Sequence, residues 1–585
     1  MIILLIALLF FSAPIGYANS NTIEDTKIVN PLYQLPEKSS IFEKELETGL
    51  DTVFLAGSET GLYKILKNNA VVCLWDKGRV DQILSVEFST EQGNSEKGYL
   101  LRTSEGIFYT NDLVNFQERN NGLSFLTVKK YDGNKTILQK QVQELKDLCV
   151  NPLNNNEIVT ATKDKVYYTK NGGLTWKSIG SMSLNTPGIK AVAVATINSE
   201  TVVFMSQPIF GFSYTFPNRS NKWYDVGKGF DRMESISYAD EIADILPVVR
   251  TNAEGNKYTE IYISQSFIPR VYKFNWEKKA AELIYKGSEP VDSYDGLTTI
   301  DNVLLFTKLE GFGAIDMNTY TSPGSPTNFK EWNNAFSAVP GMINTAWIPQ
   351  GRSGFSNGIL LNELWLLYPG TINSKYAEKA NGRKSIYASA YQCRNQQGID
   401  KFKKVVKDRN MNSIVIDMKD DYGYLRYDTK NELLLKKGKV SSYAIQLDHF
   451  IEEFKKENVY LIARIVVFKD RTLSRYSNGK YAVWDKVNNA PWIGIRGKKD
   501  VLDEDGTVIG TETDYYDEYW VDPYSEEVWE YNVEVAKDLI SRGFDEIQFD
   551  YIRFPTDGTN LRNAQYRWQD EGMDKESALI SFLGY

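Results

Sequence analysis

The segment Gly543–Pro555 constrains the fold of this chain more than any other stretch of the sequence. Polar and apolar side chains alternate along it, with Glu546, Gln548 and Asp550 on one face and Ile547, Phe549 and Tyr551 on the other. A strand of this kind suits the wall of a (β/α)8 barrel, whose outer face packs on helices. Asp550 then lies near the C-terminal end of its strand, where such barrels carry their chemistry. An amphipathic strand with a solvent-exposed polar face is the alternative.

Strand and helix patterns alternate throughout residues 385–585, which predicts a parallel sheet or barrel. The predicted strands are 385–391, 413–419, 459–468 and 545–552, and the predicted helices are 399–408, 443–456, 525–541 and 575–585. Ser525 should cap the third helix, and Gly543 should end it. Because a complete barrel needs eight strands and about 250 residues, we expect a TIM-barrel-type domain that is truncated after four strands.

Residues 50–370 carry a loose repeat of short, aromatic-rich strands with a period of roughly 40–60 residues. The repeat is visible in Leu55–Tyr63, Leu101–Tyr109 and Thr160–Tyr168. It predicts an all-β propeller with about six blades. The hairpin segment Thr169–Trp176 resembles the Asp-box of sialidase-like and photosystem-assembly-like propellers, which is a structural motif. No arginine triad accompanies it, so a sialidase is disfavoured.

Composition limits the compartment and the partners. With 585 residues the chain should hold two or three domains, and its net charge of −9 argues against a nucleic-acid partner. Residues 2–11 are apolar and are followed by Gly16–Ala18, which predicts a signal peptide, 1–18. We therefore expect an exported protein, periplasmic, cell-surface or extracellular, with no membrane span beyond the signal sequence. An N-terminal segment, 19–49, and a polar linker, 371–384, complete the predicted organisation.

Histidine and cysteine are too scarce to carry the chemistry. His449 is the single histidine and falls beside the apolar face of a predicted helix, so a surface position is expected. His-based triads and metal sites are therefore disfavoured, and we expect no metal and no cofactor. The three cysteines form no disulfide framework, although a Cys73–Cys149 bridge stays open.

Carboxylates and cations gather at the predicted C-terminal ends of three strands. The candidates are Asp417, Asp420 and Asp421 after the second strand, Arg464, Lys469 and Asp470 on the third, and Asp550, Tyr551 and Arg553 after the fourth. Two carboxylates across a glycosidic bond are what glycoside hydrolysis requires. The alternatives are a structural Asp417–Arg464 ion pair and a solvated turn at Asp420 and Asp421. Similarly, Asp503–Gly506 fits a hairpin turn better than a calcium site, and Asp522 fits a turn.

Four motifs occur in one order: Ile416–Gly423, Ala463–Asp470, Trp520–Pro523 and Phe544–Pro555. Together they resemble the N-terminal half of the bacterial putative glycoside hydrolase domain family, a group of predicted TIM barrels similar to amylase-clan enzymes. The resemblance implies a carbohydrate-active role on a polysaccharide or cell-envelope glycan. It makes Asp550 the expected catalytic carboxylate, as nucleophile or base. We also expect Asp417 to act in catalysis, by binding substrate or tuning charge, and the other candidates to bind substrate. The propeller would bind or dock a glycan or protein partner. The alternative is a non-catalytic envelope protein that binds glycan or protein through an incomplete barrel.

Overall fold

The computed structural model describes residues 52–66, 70–89, 93–132, 135–181, 188–207, 211–219, 222–226, 228–230, 242–265, 270–287, 296–300, 302–308, 312–322, 338–341, 343–347, 359–360 and 376–585. Two compact units emerge. The first comprises Met1–Phe125 and Val142–Ala377, and the second comprises Leu126–Gln141 and Glu378–Tyr585. The predicted signal peptide and N-terminal segment lie outside the described residues.

The first unit is all-β, and its described residues form six antiparallel sheets. In the order in which the chain enters them, the sheets contain Thr52–Ser58, Gly61–Leu66, Val71–Trp75, Ile343–Trp347 and Ile359–Leu360; Val80–Ser89, Ser95–Thr103, Gly106–Thr110 and Gln117–Glu118; Asp147–Val150, Ile158–Ala161, Lys165–Thr169 and Lys177–Ser181; Val192–Ile197, Glu200–Gln207, Gly211–Thr215 and Tyr224–Val226; Ile242–Thr251, Lys257–Gln265, Arg270–Asn275 and Ala280–Lys286; and Leu297–Ile300, Val303–Thr307 and Phe312–Asp316. The prediction of an all-β N-terminal region is confirmed.

Backbone amides of one sheet are bound by side chains of the sheet before it. The Leu148 amide donates to Gln82 Oε1 at 3.0 Å, and the Val192 amide donates to Asp147 Oδ2 at 2.8 Å. In the first sheet, strands from the two ends of this region pair, with Leu55 opposite Trp347. Consecutive sheets are thus joined by buried polar contacts, and early and late strands share one sheet.

The Thr169–Trp176 hairpin is held as the Asp-box resemblance implies. Asn171 Oδ1 accepts hydrogen bonds from the Thr169 hydroxyl at 2.7 Å and from the Thr175 amide at 3.0 Å. Trp176 is buried, and its Nε1 donates at 2.7 Å to the Arg119 carbonyl, which follows the preceding sheet. The motif therefore locks a turn and ties two sheets together.

The second unit is a mixed α/β structure. Its strands are β1 (Phe125–Asp132), β2 (Lys135–Val142), β3 (Ser385–Ala388), β4 (Ser413–Lys419), β5 (Tyr424–Tyr427), β6 (Lys439–Ile445), β7 (Tyr460–Val466), β8 (Trp484–Asp485), β9 (Ala490–Pro491), β10 (Ile495–Leu502), β11 (Val508–Tyr515), β12 (Glu546–Asp550) and β13 (Ala564–Gln565). Its helices are α1 (Ala377–Ala380), α2 (Gln396–Asp408), α3 (Glu432–Lys437), α4 (Leu447–Lys455), α5 (Arg471–Ser474), α6 (Glu526–Arg542) and α7 (Lys575–Gly584), with 3-10 turns at Gln392–Arg394 and Leu561–Asn563.

Four parallel strands position the candidate site. They lie side by side in the order β3, β4, β7 and β12, which is also their order along the chain. One face is apolar, and its central residues Ile416, Ala463 and Ile465 are fully buried, because they pack with residues of α2, α4 and α6. Each strand therefore presents alternate residues on the opposite, polar face. The parallel alternation is as predicted, whereas a closed barrel stays a prediction.

Helix α4 begins later than the sequence predicts. Residues 439–445 form β6, where Ile445 pairs with Tyr427 of β5, and the helix starts only at Leu447. Strand pairing there overrides the helical periodicity of the sequence. At α6, Ser525 occupies the N-cap position, but its buried Oγ finds no partner. Gly543 ends α6 with a φ of 121°, as predicted.

The structure also bears on several smaller predictions from the sequence. His449 is exposed and lies 2.7 Å from Gln396 Oε1, which confirms its surface position. Cys73 and Cys149 are both free, so the bridge between them is not formed. The Asp503–Gly506 turn joins β10 to β11 as a hairpin, with the Thr507 amide donating to Asp503 Oδ1 at 2.8 Å. None of the helices in the described part of the chain has the length and apolar character that a membrane crossing requires.

Candidate functional site

Three charged residues meet on the polar face of the parallel sheet. Asp417 of β4 lies opposite Arg464 of β7, and Arg464 lies opposite Gln548 of β12. Asp550 follows Gln548 by two residues and therefore shares its face, one step closer to the C-terminal edge. Neighbouring parallel strands thus bring together residues that are 47 and 86 positions apart in the chain.

The Arg464 guanidinium joins the two candidate catalytic carboxylates. Its Nη1 donates to Asp417 Oδ1 at 2.6 Å, while its Nε and Nη2 donate to Asp550 Oδ2 at 2.8 and 2.5 Å. The ion pair that the sequence left open as a structural alternative is therefore present. It is not a sealed core pair, because the Asp550 side chain is 39% exposed and faces solvent.

The electrostatics of Arg464 keep positive charge in the centre of this group. Burial lowers its pKa, but the adjacent carboxylates of Asp417 and Asp550 outweigh burial and raise the pKa above its usual value. The guanidinium is therefore charged at every pH at which the protein is folded. It can hold a carboxylate, and it can stabilise negative charge, but it cannot donate a proton in a reaction.

Tyr387 is a fourth member of this group that the sequence analysis did not identify. Its hydroxyl donates to Asp417 Oδ2, and burial together with the Asp417 carboxylate raises its pKa to about 12. The phenol therefore acts as a hydrogen-bond donor at neutral pH. The signal was present in the sequence, since Tyr387 of β3 lies opposite Val415 of β4, which shares its face with Asp417.

Lys469 organises a second charged group at the same edge of the sheet. Its Nζ lies 3.2 Å from Asp421 Oδ2 and 3.1 Å from Glu518 Oε1. Burial lowers the pKa of Lys469, but Glu518 and Asp421 outweigh burial and raise it above the ordinary value. The ammonium also lies 5.1 Å from the centre of the Tyr551 ring. Sequence reasoning missed Glu518, because it lies between β7 and β12 and outside every predicted strand and helix.

Tyr551 leaves the strand alternation that the sequence predicts. Its φ is 54°, in the left-handed region that non-glycine residues seldom adopt, and its amide donates to Asp550 Oδ1 at 2.6 Å. Its ring lies 5.3 Å from the Arg553 guanidinium, which also lies 4.7 Å from the Trp520 ring. The backbone turn after Asp550 therefore places an aromatic ring between two cations.

Two predicted substrate-binding carboxylates have supporting positions instead. Asp420 is buried beside Arg426 and accepts the Tyr424 amide at 2.8 Å, so it stabilises the turn after β4. Asp470 is fully buried, pairs with Lys419 at 2.7 Å and accepts the Leu473 amide at the start of α5. Both carboxylates are buried, so neither is open to contact with a substrate.

Asp522 is also buried and has a structural position, in agreement with the turn that the sequence predicts. The amides of Tyr524 and Trp568 donate to its two oxygens, each at 3.1 Å. Burial raises its pKa to about 6, and these amides only partly offset that effect. Trp492 and Trp520 are 2% exposed, so their rings serve the core and cannot stack on a sugar.

Comparison with protein families finds a match within the second unit. Residues 385–585 match the model of a family described as "Putative glycosyl hydrolase domain". The matched region contains β3, β4, β7 and β12 and every predicted site residue. Over these residues the second unit is therefore similar to a family described as a glycosyl hydrolase domain. No curated protein matches the chain.

Among solved structures, a hypothetical protein from Ruminiclostridium thermocellum shares 28% identity over 34% of this chain and 90% of its own, with a TM-score of 0.27. An α-L-fucosidase from Paenibacillus thiaminolyticus shares 14% identity over 34% of this chain and 28% of its own, with a TM-score of 0.22. YCF48 bound to D1 peptide shares 10% identity over 54% of this chain and 93% of its own, with a TM-score of 0.29. These TM-scores are too low to bear on fold or function.

Proposed function

We propose that residues 385–585 form a glycosidase domain that acts on a polysaccharide or a cell-envelope glycan. The observation that carries this proposal is the Arg464 bridge between Asp417 and Asp550 at the C-terminal ends of neighbouring parallel strands. Active sites of parallel α/β enzymes gather at this edge. The family match supports the reaction class, and the geometry supports the choice of residues.

Asp550 has the features of a nucleophile or general base. Its carboxylate is exposed, is oriented by Arg464 and by the Tyr551 amide, and is fixed at a strand end. Such a carboxylate can attack the anomeric carbon, or it can activate a water molecule. Asp417 is less exposed and is held by Arg464 and Tyr387, so its role in this proposal is to bind substrate and to stabilise positive charge on the sugar.

Protonation of the leaving oxygen needs a different carboxyl group. A general acid must carry a proton at the working pH, whereas the roles proposed above use Asp550 and Asp417 as carboxylates. Asp421 and Glu518, which share Lys469 at the same edge, are the neighbouring carboxyl groups to test as the acid.

The remaining parts of the chain fit an exported protein. The apolar run at 2–11 and the small residues of Gly16–Ala18 support a signal peptide. The successive antiparallel sheets of the first unit support a propeller that binds glycan or a protein partner and keeps the hydrolase near its substrate.

Hydrolysis is tested by incubating the protein with a panel of oligosaccharides and polysaccharides and measuring new reducing ends. Asp550→Asn keeps the size of the side chain but removes the nucleophile, and it should abolish turnover in a folded protein. Asp408→Asn, at the exposed end of α2, is the matched control and should leave turnover unchanged. Turnover that persists in the Asp550→Asn variant would show that the assignment is wrong.

Glycan binding without hydrolysis is the second candidate. It is favoured by the same Arg464 bridge, because both carboxylates are engaged there in ion pairs with the guanidinium. Binding of a glycan that is equal in the wild type and in the Asp550→Asn variant, with no product from either, would establish this function instead.

A further inference from the structure

Three tyrosines and one arginine form an exposed aromatic surface beside the candidate site. We call Tyr387, Tyr391, Tyr443 and Arg394 the tyrosine patch. The three tyrosine side chains are 55%, 50% and 49% exposed, in that order. In a protein core, large aromatic side chains are almost completely buried. A group of half-exposed rings therefore marks a ligand-binding surface.

The rings of the tyrosine patch are arranged and held in place. Tyr391 and Tyr443 meet edge to face with their centres 5.2 Å apart. The Arg394 guanidinium lies 4.4 Å from the centre of the Tyr391 ring and 5.6 Å from that of Tyr443. Cys393, between Tyr391 and Arg394 in the 3-10 turn, is 1% exposed and anchors that turn in the core. The patch is therefore pre-organised before any ligand binds.

The tyrosine patch continues directly from the candidate catalytic group. The Tyr387 hydroxyl donates to Asp417, which contacts Arg464. Strand β3 ends at Ala388, opposite Ile416 and so one residue before the level of Asp417. Tyr391 follows within three residues on the loop that leaves this edge. The exposed rings therefore extend the polar face away from Asp550, in the direction of β3 and β6.

We propose that the tyrosine patch is a subsite that binds further sugar units of a glycan chain, and that the substrate is accordingly an oligosaccharide or polysaccharide. This inference rests on the proposed function at Asp550. A sugar ring presents C–H groups on its faces and hydroxyls around its rim. Tyrosine rings match the faces, while phenolic hydroxyls and the Arg394 guanidinium match the rim.

The experiment measures binding and cleavage separately in the full chain. Binding of maltohexaose, cellohexaose, xylohexaose and chitohexaose is measured by calorimetry in the Asp550→Asn background, so that no ligand is consumed. Adding Tyr391→Ala and Tyr443→Ala should weaken the binding of the preferred hexasaccharide about tenfold, because two stacking contacts are lost. A variant with Tyr391→Trp in place of Tyr391→Ala should regain hexasaccharide binding, because the larger indole ring can stack on a sugar.

Tyr515→Ala is the matched control, because Tyr515 is 52% exposed on the β10–β11 hairpin and lies outside the patch. It should bind the hexasaccharide like its parent, and thermal unfolding should show that all variants are folded. Cleavage by proteins with an intact Asp550 is then compared on a hexasaccharide and on an aryl monosaccharide glycoside. The Tyr391→Ala/Tyr443→Ala variant should lose kcat/KM on the hexasaccharide only.

The outcomes separate this inference from the proposed function. Loss of hexasaccharide binding in the patch variant, with no cleavage by the wild type, would support the tyrosine patch as a sugar-binding subsite. It would contradict the hydrolase assignment. Equal cleavage of the hexasaccharide by the wild type and the patch variant would refute the subsite at the tyrosine patch and would support the hydrolase assignment. Failure of the parent to bind any of the four hexasaccharides would overturn the inference.

Discussion

Lys419 Nζ lies 2.7 Å from Asp470 Oδ2, and both side chains are excluded from solvent, at 0% and 1% exposure. Lys419 ends β4 and Asp470 follows β7, so this ion pair fixes the strand ends that carry Asp417 and Lys469. The lysine also donates to the Val466 carbonyl at 2.5 Å. A buried pair with these added hydrogen bonds specifies how two neighbouring strand ends meet.

Replacing Lys419 with Met should destabilise the second unit strongly. The change leaves the Asp470 carboxylate buried without its cation, and the loss should be about 3–5 kcal/mol in the free energy of unfolding. Chemical denaturation followed by tryptophan fluorescence measures it. Lys404→Met removes an exposed i,i+4 pair with Asp408 and should change stability by less than about 0.5 kcal/mol. Equal unfolding midpoints for the two variants would contradict the prediction.

Gly423 should tolerate no side chain. Its φ is +76°, and a Cβ there would lie 1.8 Å from Asp470 Oδ1. Gly423→Ala should therefore cost about 1–3 kcal/mol or more, from backbone strain and displacement of Asp470. Gly506 has a φ of +80° with no atom within 4 Å, so Gly506→Ala reports the backbone strain alone. The prediction fails if both alanine variants lose the same stability.

Arg464 should not be replaceable by lysine. A lysine keeps the positive charge but cannot donate along two directions to both carboxylates, so Asp550 would lose its fixed orientation. We expect Arg464→Lys to lower kcat/KM by about 10²-fold on whichever glycan the wild type cleaves. Arg542→Lys is the matched control, because Arg542 also bridges two carboxylates, those of Asp428 and Asp448, away from the site. Unchanged kcat/KM in the Arg464→Lys variant would refute the role given to the bridge.

Asp522 should make the second unit less stable as pH rises. Its pKa is about 6 in the folded protein and 3.8 without the surrounding structure, so folding favours the protonated form. Its contribution to stability is fully present below about pH 4 and is lost as pH rises through about 6. Asp522→Asn cannot titrate, so its stability relative to the wild type should rise between those values. Thermal unfolding of both proteins at several pH values measures this difference, and a difference that stays constant with pH would contradict the prediction.

Lys129 should anchor the β1–β2 hairpin to the rest of the second unit. Its Nζ lies 2.5 Å from Glu526 Oε1 and 2.8 Å from Asp570 Oδ2, and the side chain is 8% exposed. Lys129→Met should cost about 1–3 kcal/mol and should increase amide exchange at the start of α6, where Glu526 lies. Lys135→Met, at an exposed position of β2, should do neither. Unchanged exchange in the Lys129→Met variant would argue against the anchor.

The local patterns of the sequence identified the elements that carry the site. Alternation around Asp550 has one geometric meaning, because successive side chains of a strand point to opposite faces. It therefore predicted that Asp550 shares a face with Gln548, and β12 shows this arrangement. The same reasoning failed at Tyr551, whose left-handed backbone ends the alternation. It also failed at Tyr443, where pairing between β5 and β6 overrides the helical pattern.

The sequence by itself determined the two kinds of structure along the chain, the strands of the parallel sheet and the carboxylates at their ends, because these depend on neighbours in the chain. Only the tertiary structure decided which of those carboxylates face solvent. Strand order joins Asp417, Arg464 and Asp550 across 47 and 86 positions, and it buries Asp470 against Lys419. Burial and ion pairing depend on residues far away in sequence, and no local periodicity encodes them.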